Sequence, residues 1–175
     1  MKHDRLRAHM GVEIERRFLI PSSQHRHWHG DSLQIRQFYI DEGVISHLIP
    51  NDVDISAIHI WRIRSSQQGC FLTGKGRRVG AKAIELEWKI GQDEFDRIDD
   101  EYTLFGIEKT RFLWRGVDGL LWEIDEFEGA HSGLIIAEVE LESEDQIVQL
   151  PEWLGKEITG DNSWSNWALS RMTKP

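Results

Sequence analysis

The sequence predicts a β-rich chain of the α+β class, and three observations carry that reading. Stretch after stretch alternates an ionisable residue with an apolar one, the period-two signature of a strand with two unlike faces. Glycine-bearing breaks separate these stretches, most clearly where Gly116 and Gly119 bracket a hairpin turn. Helical spacing is confined to a window after Gly91 and to the tail. The 175 residues suit one core. Residues 12–170 are expected to form a single domain, with 1–11 a flexible N-terminal segment.

Taken in order, residues 1–11 are polar, and their His3 and His9 have no third ligand nearby. Residues 12–20 form the first strand. Glu13, Glu15 and Arg17 share one face; Ile14, Phe18 and Ile20 share the other, with Arg16 among them. Carboxylates at i and i+2 on one face repel unless a cation sits between them, although a solvated strand would also read this way. Pro21-Ser22-Ser23 ends the strand. Residues 24–31 hold His25, His27 and His29 around Trp28, a surface loop or short helix. Residues 33–40 alternate imperfectly as a strand. Residues 41–56, with Gly43, Pro50 and Asn51, read as a long loop.

In residues 59–64, Arg62 and Arg64 face away from Trp61 and Ile63. Gly69 turns the chain into residues 70–73, and Lys75 follows between Gly74 and Gly76, which reads either as a flexible turn or as a place where the backbone approaches a ligand closely. Arg77 and Arg78 continue a basic loop. Residues 84–90 set Glu85, Glu87 and Lys89 against Ile84, Leu86, Trp88 and Ile90. Residues 91–106 are expected to be helical, with Asp93 as N-cap and Phe95, Ile98 and Tyr102 at helical spacing. Residues 107–114 put Lys109 and Arg111 on one face. Residues 120–127 do so for Glu123 and Asp125, and residues 134–141 for Glu138 and Glu140. The tail carries Pro151, a short helix or turn at 152–157, and residues 161–169.

The charged faces fall into an acidic set and a basic set. A solvated sheet would mix in more Ser, Thr, Gln and Asn. If the strands close into a barrel, the charged faces line its inside and the apolar faces lie outside under helices. Such an interior requires compensation. The two sets offset each other in part; the remainder asks for a hard divalent cation on the carboxylates and a polyanion on the Arg/Lys rows. All-oxygen ligands favour Mg²⁺ or Mn²⁺ over zinc.

Composition narrows the classes. A net charge of −9 argues against a general nucleic-acid binder. The single cysteine, Cys70, forms no intrachain disulfide and fits a reducing cytoplasm. No stretch reaches membrane-span length. Oligomeric state stays open, with a homodimer among the expectations.

In order along the chain, Glu13-Ile14-Glu15-Arg16-Arg17, Arg62-Ile63-Arg64, Leu72-Thr73-Gly74-Lys75-Gly76, Glu108-Lys109-Thr110-Arg111, Trp122-Glu123-Ile124-Asp125, Ala137-Glu138-Val139-Glu140-Leu141 and the segment from Leu150 to Asp161 together resemble the CYTH family, the triphosphate tunnel metalloenzymes, over roughly residues 10 to 170. That resemblance implies an eight-stranded antiparallel β-barrel, a tunnel with a charged lumen and helices packed outside. It implies that Glu13, Glu15 and Glu140 hold Mg²⁺ or Mn²⁺, supported by Glu138 and Asp125. It implies that Arg17, Arg62, Arg64, Lys75, Lys109 and Arg111 grip a triphosphate-containing small molecule. The expected reaction is metal-dependent hydrolysis of the terminal phosphate, first of all of inorganic tripolyphosphate, with Glu87 or Glu85 orienting the attacking water. Adenylate cyclase, an organic triphosphatase and a non-catalytic polyphosphate-binding module are the alternatives.

Overall fold

A strand with one charged and one apolar face must hide both, and closing the sheet does so. The computed structural model describes residues 9–22, 26–79, 81–101 and 106–172. Eight strands alternate in direction: β1 (His9–Leu19), β2 (Ser32–Ile40), β3 (Ile58–Ser66), β4 (Gly69–Gly76), β5 (Lys82–Ile90), β6 (Gly106–Arg115), β7 (Leu121–Phe127) and β8 (Ile135–Glu140). They close in the order β1-β5-β4-β3-β2-β6-β7-β8, every pairing antiparallel, so no edge is left open. β1 is the closing strand. It sets Glu13 opposite Ala83 of β5 and Glu15 opposite Glu140 of β8. It also begins at His9, earlier than the alternation suggested, because β5 pairs with it that far. Residues 1–8, with His3, lie outside the described residues, as do Gln24, His25 and Tyr102.

Three apolar clusters hold the barrel, and burial of each large side chain contributes about 1.5–3 kcal/mol. The first covers β3, β4 and β5 from outside, through Trp61, Ile63, Leu72, Leu86 and Trp88. Residues 41–56 are a cover rather than an open loop. α1 (Glu42–Ile45) and a 3-10 turn at Ser46–Leu48 bury Ile45 completely and pack Leu48, Ile49, Val53 and Ile55 on this face. The Trp88 indole N–H donates to the Leu48 carbonyl at 3.0 Å. α2 (Gln92–Glu101) adds Phe95 and Ile98. It starts one residue before Asp93, which therefore sits in the first turn, where its charge still suits the helix dipole. Trp61 lies cross-strand from Gly74, and a Cβ at 74 would come within 2.7 Å of the indole, so only glycine fits beneath that ring.

The second cluster lies outside β1, β6, β7 and β8, under loops instead of helices. Trp28 is buried, donates its indole N–H to Glu126 at 2.9 Å and packs on Trp153, 5.3 Å between rings. Helices thus cover only part of the barrel. Residues 152–157 form no helix; a turn from Pro151 to Leu154 seats Trp153 against Trp122 and Trp114.

The third cluster adds an apolar end to the charged lumen. Ile107, Phe127 and Ile136 continue the inward faces of β6, β7 and β8, and they bury against Ile158 of the C-terminal loop and against Leu169 of α3 (Asn166–Arg171). Ser165 caps that helix, its Oγ accepting the Ala168 N–H at 3.1 Å. The C-terminal segment thereby seals one end of the barrel with apolar side chains, leaving the charged part as a cavity.

Candidate functional site

Inside the barrel lies a cavity of about 530 Å³. Of the residues expected from sequence, Glu13, Glu15, Arg17, Arg62, Arg64, Lys75, Glu85, Glu87, Arg111, Glu138 and Glu140 line it. Their convergence follows from strand parity, since each is one of an i, i+2 pair or its cross-strand neighbour. Lys109 and Asp125 are set deeper, almost wholly buried and bonded to each other.

The cavity has an acidic side. Glu15 and Glu140 are direct cross-strand partners, as are Glu123 and Glu138, and like charges so placed repel. Burial, then Glu138 and Glu13, push the Glu15 carboxyl up to about 8, against the opposing Arg78 and Arg17. Burial followed by Glu123, Glu13 and Glu85 likewise raises Glu140. Glu13 is held by Lys75 at 3.2 Å and Arg78 at 3.3 Å, and Glu15 by Arg78 at 2.9 Å. Among the described residues, no three His, Cys, Asp or Glu side chains are grouped tightly enough to enclose a metal ion.

The other side is basic. Arg62 donates to Thr73 at 3.0 Å, and Thr73 donates to Glu87 at 2.8 Å. Arg64 reaches Glu87 at 3.2 Å. Burial and then the charge of Arg62 lower the Arg64 guanidinium below its ordinary value, with Arg111 adding to the repulsion. The Nε of Arg62 is buried and has no hydrogen-bond partner among the described residues. A buried N–H donor without an acceptor beside mutually repelling cations is a place for an anion. Glu85 stays a carboxylate: burial opposes this, but Lys75, 2.6 Å away, and then Arg62 outweigh it.

Two residues sit between these sides as clamps. Asp125 takes the Arg111 fork at 2.7 and 2.8 Å and the Lys109 ammonium as well. Although burial opposes it, Arg111 and then Lys109 hold its carboxyl well below the usual range. Glu138 binds Arg17 at 2.7 Å and Arg111 at 3.2 Å, and it too is held low against burial, first by Arg17. Asp125 and Glu138 therefore position the basic row in this structure. Glu85 and Glu87 are ion-paired to the basic row.

Sequence reasoning missed several lining residues. Tyr39 faces the cavity from β2 and accepts the Gln37 amide at 3.0 Å; its alternation with Gln37 carried a faint signal. Arg78, His59, Asn162, Ser165, Asn166 and Trp167 lie on loops, a bulge or α3, where no periodicity marks them.

Comparison with known proteins supplies an independent line. The CYTH domain family matches residues 11–164. A protein of Acetivibrio thermocellus described as an inorganic triphosphatase is 33% identical over 159 residues, covering 90% of this chain and 92% of its own. One of Nitrosomonas europaea with the same description is 32% identical over 161 residues, covering 91% and 97%. The crystal structure of an inorganic triphosphatase, 31% identical, superposes with a TM-score of 0.62 over 95% of this chain and 99% of that one.

Proposed function

The chain belongs to the CYTH domain family, and from that premise we propose that it is a divalent-metal-dependent triphosphatase, with inorganic tripolyphosphate as its first substrate. The observation that carries the proposal is that one cavity holds two opposed sets of like charges, each left short of counter-charge. The carboxyls of Glu15 and Glu140 are raised by burial and then by their acidic neighbours, and Arg64 is lowered by burial and then by the like charges of Arg62 and Arg111. The acidic set suits a hard divalent cation, Mg²⁺ or Mn²⁺, because its donors are all carboxylate oxygens whose repulsion such an ion removes. Glu13, Glu15 and Glu140 would hold it. When bound, it would supply Lewis-acid polarisation of phosphate oxygens.

The remaining work belongs to the chain's own residues. Arg62, Arg64, Arg111 and Lys75 offer charge-assisted donors to phosphoryl oxygens and offset the charge that develops in transfer. Asp125 and Glu138 hold Lys109, Arg111 and Arg17 in place, so donors need not reorganise during reaction. Glu85, kept ionised by Lys75, is able to accept a hydrogen bond from an attacking water, and Glu87 stands beside it. The apolar seal at Ile107, Phe127, Ile136 and Leu169 excludes water from one end. We infer a cytoplasmic enzyme from the single cysteine, Cys70, which suits a reducing compartment.

The deciding experiment is orthophosphate release from tripolyphosphate, ATP and pyrophosphate, each with Mg²⁺, Mn²⁺ or EDTA. Fast metal-dependent release from tripolyphosphate with little from the others supports the proposal. Cyclic AMP and pyrophosphate from ATP would replace it with a cyclase, and tight tripolyphosphate binding without turnover would replace it with a binding module.

A further inference from the structure

Arg78 continues a basic loop in the sequence, yet its guanidinium sits in the acidic side of the cavity. One terminal nitrogen, Nη2, lies 2.9 Å from Glu15 and 3.3 Å from Glu13. The other, Nη1, donates to the Ala81 carbonyl at 2.8 Å. That same carbonyl accepts the Glu15 backbone N–H at 3.2 Å, and Val79 and Lys82 exchange backbone hydrogen bonds at 2.9 and 3.1 Å. The turn is thus docked on β1, and the arginine is pinned between the two carboxylates rather than waving from the surface. Its side chain is 17% exposed.

We propose that Arg78 is an exchangeable internal counter-cation. In the metal-free protein it occupies the space between Glu13 and Glu15. A divalent cation must displace it, and its guanidinium then turns to phosphate oxygens in the same cavity. This rests on the functional reading above. Two cations do not share that position, and the neighbouring cations have anchors elsewhere. Lys75 keeps Glu85 at 2.6 Å and Arg17 keeps Glu138 at 2.7 Å when Glu13 and Glu15 are withdrawn. Among the described residues the carboxylates that Arg78 pairs with are these two, so Arg78 is the cation that exchanges. Metal and triphosphate then reinforce each other: metal frees a donor for the substrate, and substrate gives the freed arginine a partner.

The test measures Mn²⁺ binding to metal-stripped protein by calorimetry or electron paramagnetic resonance, and the KM for tripolyphosphate with Mn²⁺ present, for wild type, Arg78→Gln and Arg78→Lys. Arg78→Gln should tighten Mn²⁺ about tenfold and weaken tripolyphosphate by a similar factor. A lysine ammonium can stand between the two carboxylates as Nη2 does but loses the second nitrogen that anchors the side chain on the Ala81 carbonyl, so Arg78→Lys should tighten Mn²⁺ by a smaller factor and retain more tripolyphosphate affinity. Unchanged or weaker Mn²⁺ binding by Arg78→Gln overturns the inference. If that variant does not fold, Arg78→Lys decides alone by the same criterion. A wild type that hydrolyses tripolyphosphate with Mn²⁺ while the variants bind Mn²⁺ no more tightly overturns this inference only. Absence of Mn²⁺ binding in every variant overturns the functional reading together with it.

Discussion

Replacing Asp125 by asparagine separates two roles that sequence alone leaves merged, metal ligand and cation clamp. The change is nearly isosteric and removes one charge. Asp125 is 1% exposed and receives the Arg111 fork at 2.7 and 2.8 Å together with the Lys109 ammonium. An asparagine oxygen can still accept from one of these groups, but its NH₂ then meets the other donor to donor. Lys109, 1% exposed, is left with the Phe127 ring 5.5 Å from its ammonium, a weak substitute. Arg111 keeps Glu138 at 3.2 Å and its contact with Glu123. Removing one partner of a buried ion pair costs about 3–5 kcal/mol. In a domain of this size each kcal/mol lowers Tm by about 2–4 °C, so the loss should be about 6–20 °C. Thermal melts in EDTA keep metal out of the comparison. A Lys109→Met, Asp125→Asn double variant should recover part of the loss, because it no longer buries an unpaired ammonium. A metal-free Tm within about 2 °C of wild type, combined with lost Mn²⁺ affinity, would refute the clamp and make Asp125 a metal ligand.

Glu140→Gln removes a carboxylate raised by burial and then by three like neighbours, so metal-free stability should hold or rise by up to about 1 kcal/mol. Metal-dependent turnover should fall by about a hundredfold or more; full activity would remove Glu140 from the proposed metal site. The Glu15 carboxyl keeps its proton to about 8 in the metal-free fold, against an ordinary value of 4.5. The native state therefore binds more protons across that interval, and this stabilisation is lost as pH rises through it. Melts in EDTA should show a lower Tm at about pH 8 than at about pH 5.5, with the slope flattened in Glu15→Gln; a Tm that climbs over this range contradicts the assignment. Gly74→Val drives a side chain into the Trp61 ring and should cost about 1–3 kcal/mol, read from the urea midpoint. Leu169→Ala opens the apolar seal and should cost about 2–5 kcal/mol, and an unchanged urea midpoint would show that α3 does not hold that end closed.

The strands were legible because the alternation is nearly unbroken where both faces are committed. Ile84 to Ile90 and Leu121 to Phe127 each read as one charged and one apolar row, and the barrel keeps both rows. The cover at residues 41–56 was not legible. Ile45, Leu48, Ile49, Val53 and Ile55 follow no single period, and Gly43 and Pro50 mark breaks, so only burial against Trp61 and Trp88 orders them. Trp28 was hidden for a similar reason: three histidines and an arginine surround it, while its own ring supplies the burial. Within the site, sequence placed the charged faces but not the pairing. Asp125 and Glu138 stand in acidic strands, yet their partners come from β6 and β1, and only barrel closure and register bring them together.

The separation of apolar and ionic layers also explains how such an interior is tolerated. The large apolar surfaces lie outside the strands, in the clusters around Trp61 and Trp122, and at one sealed end. Charges inside add little net stability, since desolvation offsets their attraction. They do hold one another in place: Arg17 to Glu138, Arg111 to Asp125, Arg64 to Glu87 and Lys75 to Glu85 form a ring of pairs on a rigid wall. Where that pairing is incomplete, at the Glu15–Glu140 pair and at the Arg62 Nε, the wall carries unspent charge facing the cavity. Substitutions in the outer clusters should therefore change folding and leave substrate preference unchanged. Neutralising Glu140 or Arg62 should do the reverse, because the energy released by pairing there comes from the ligand and not from the fold.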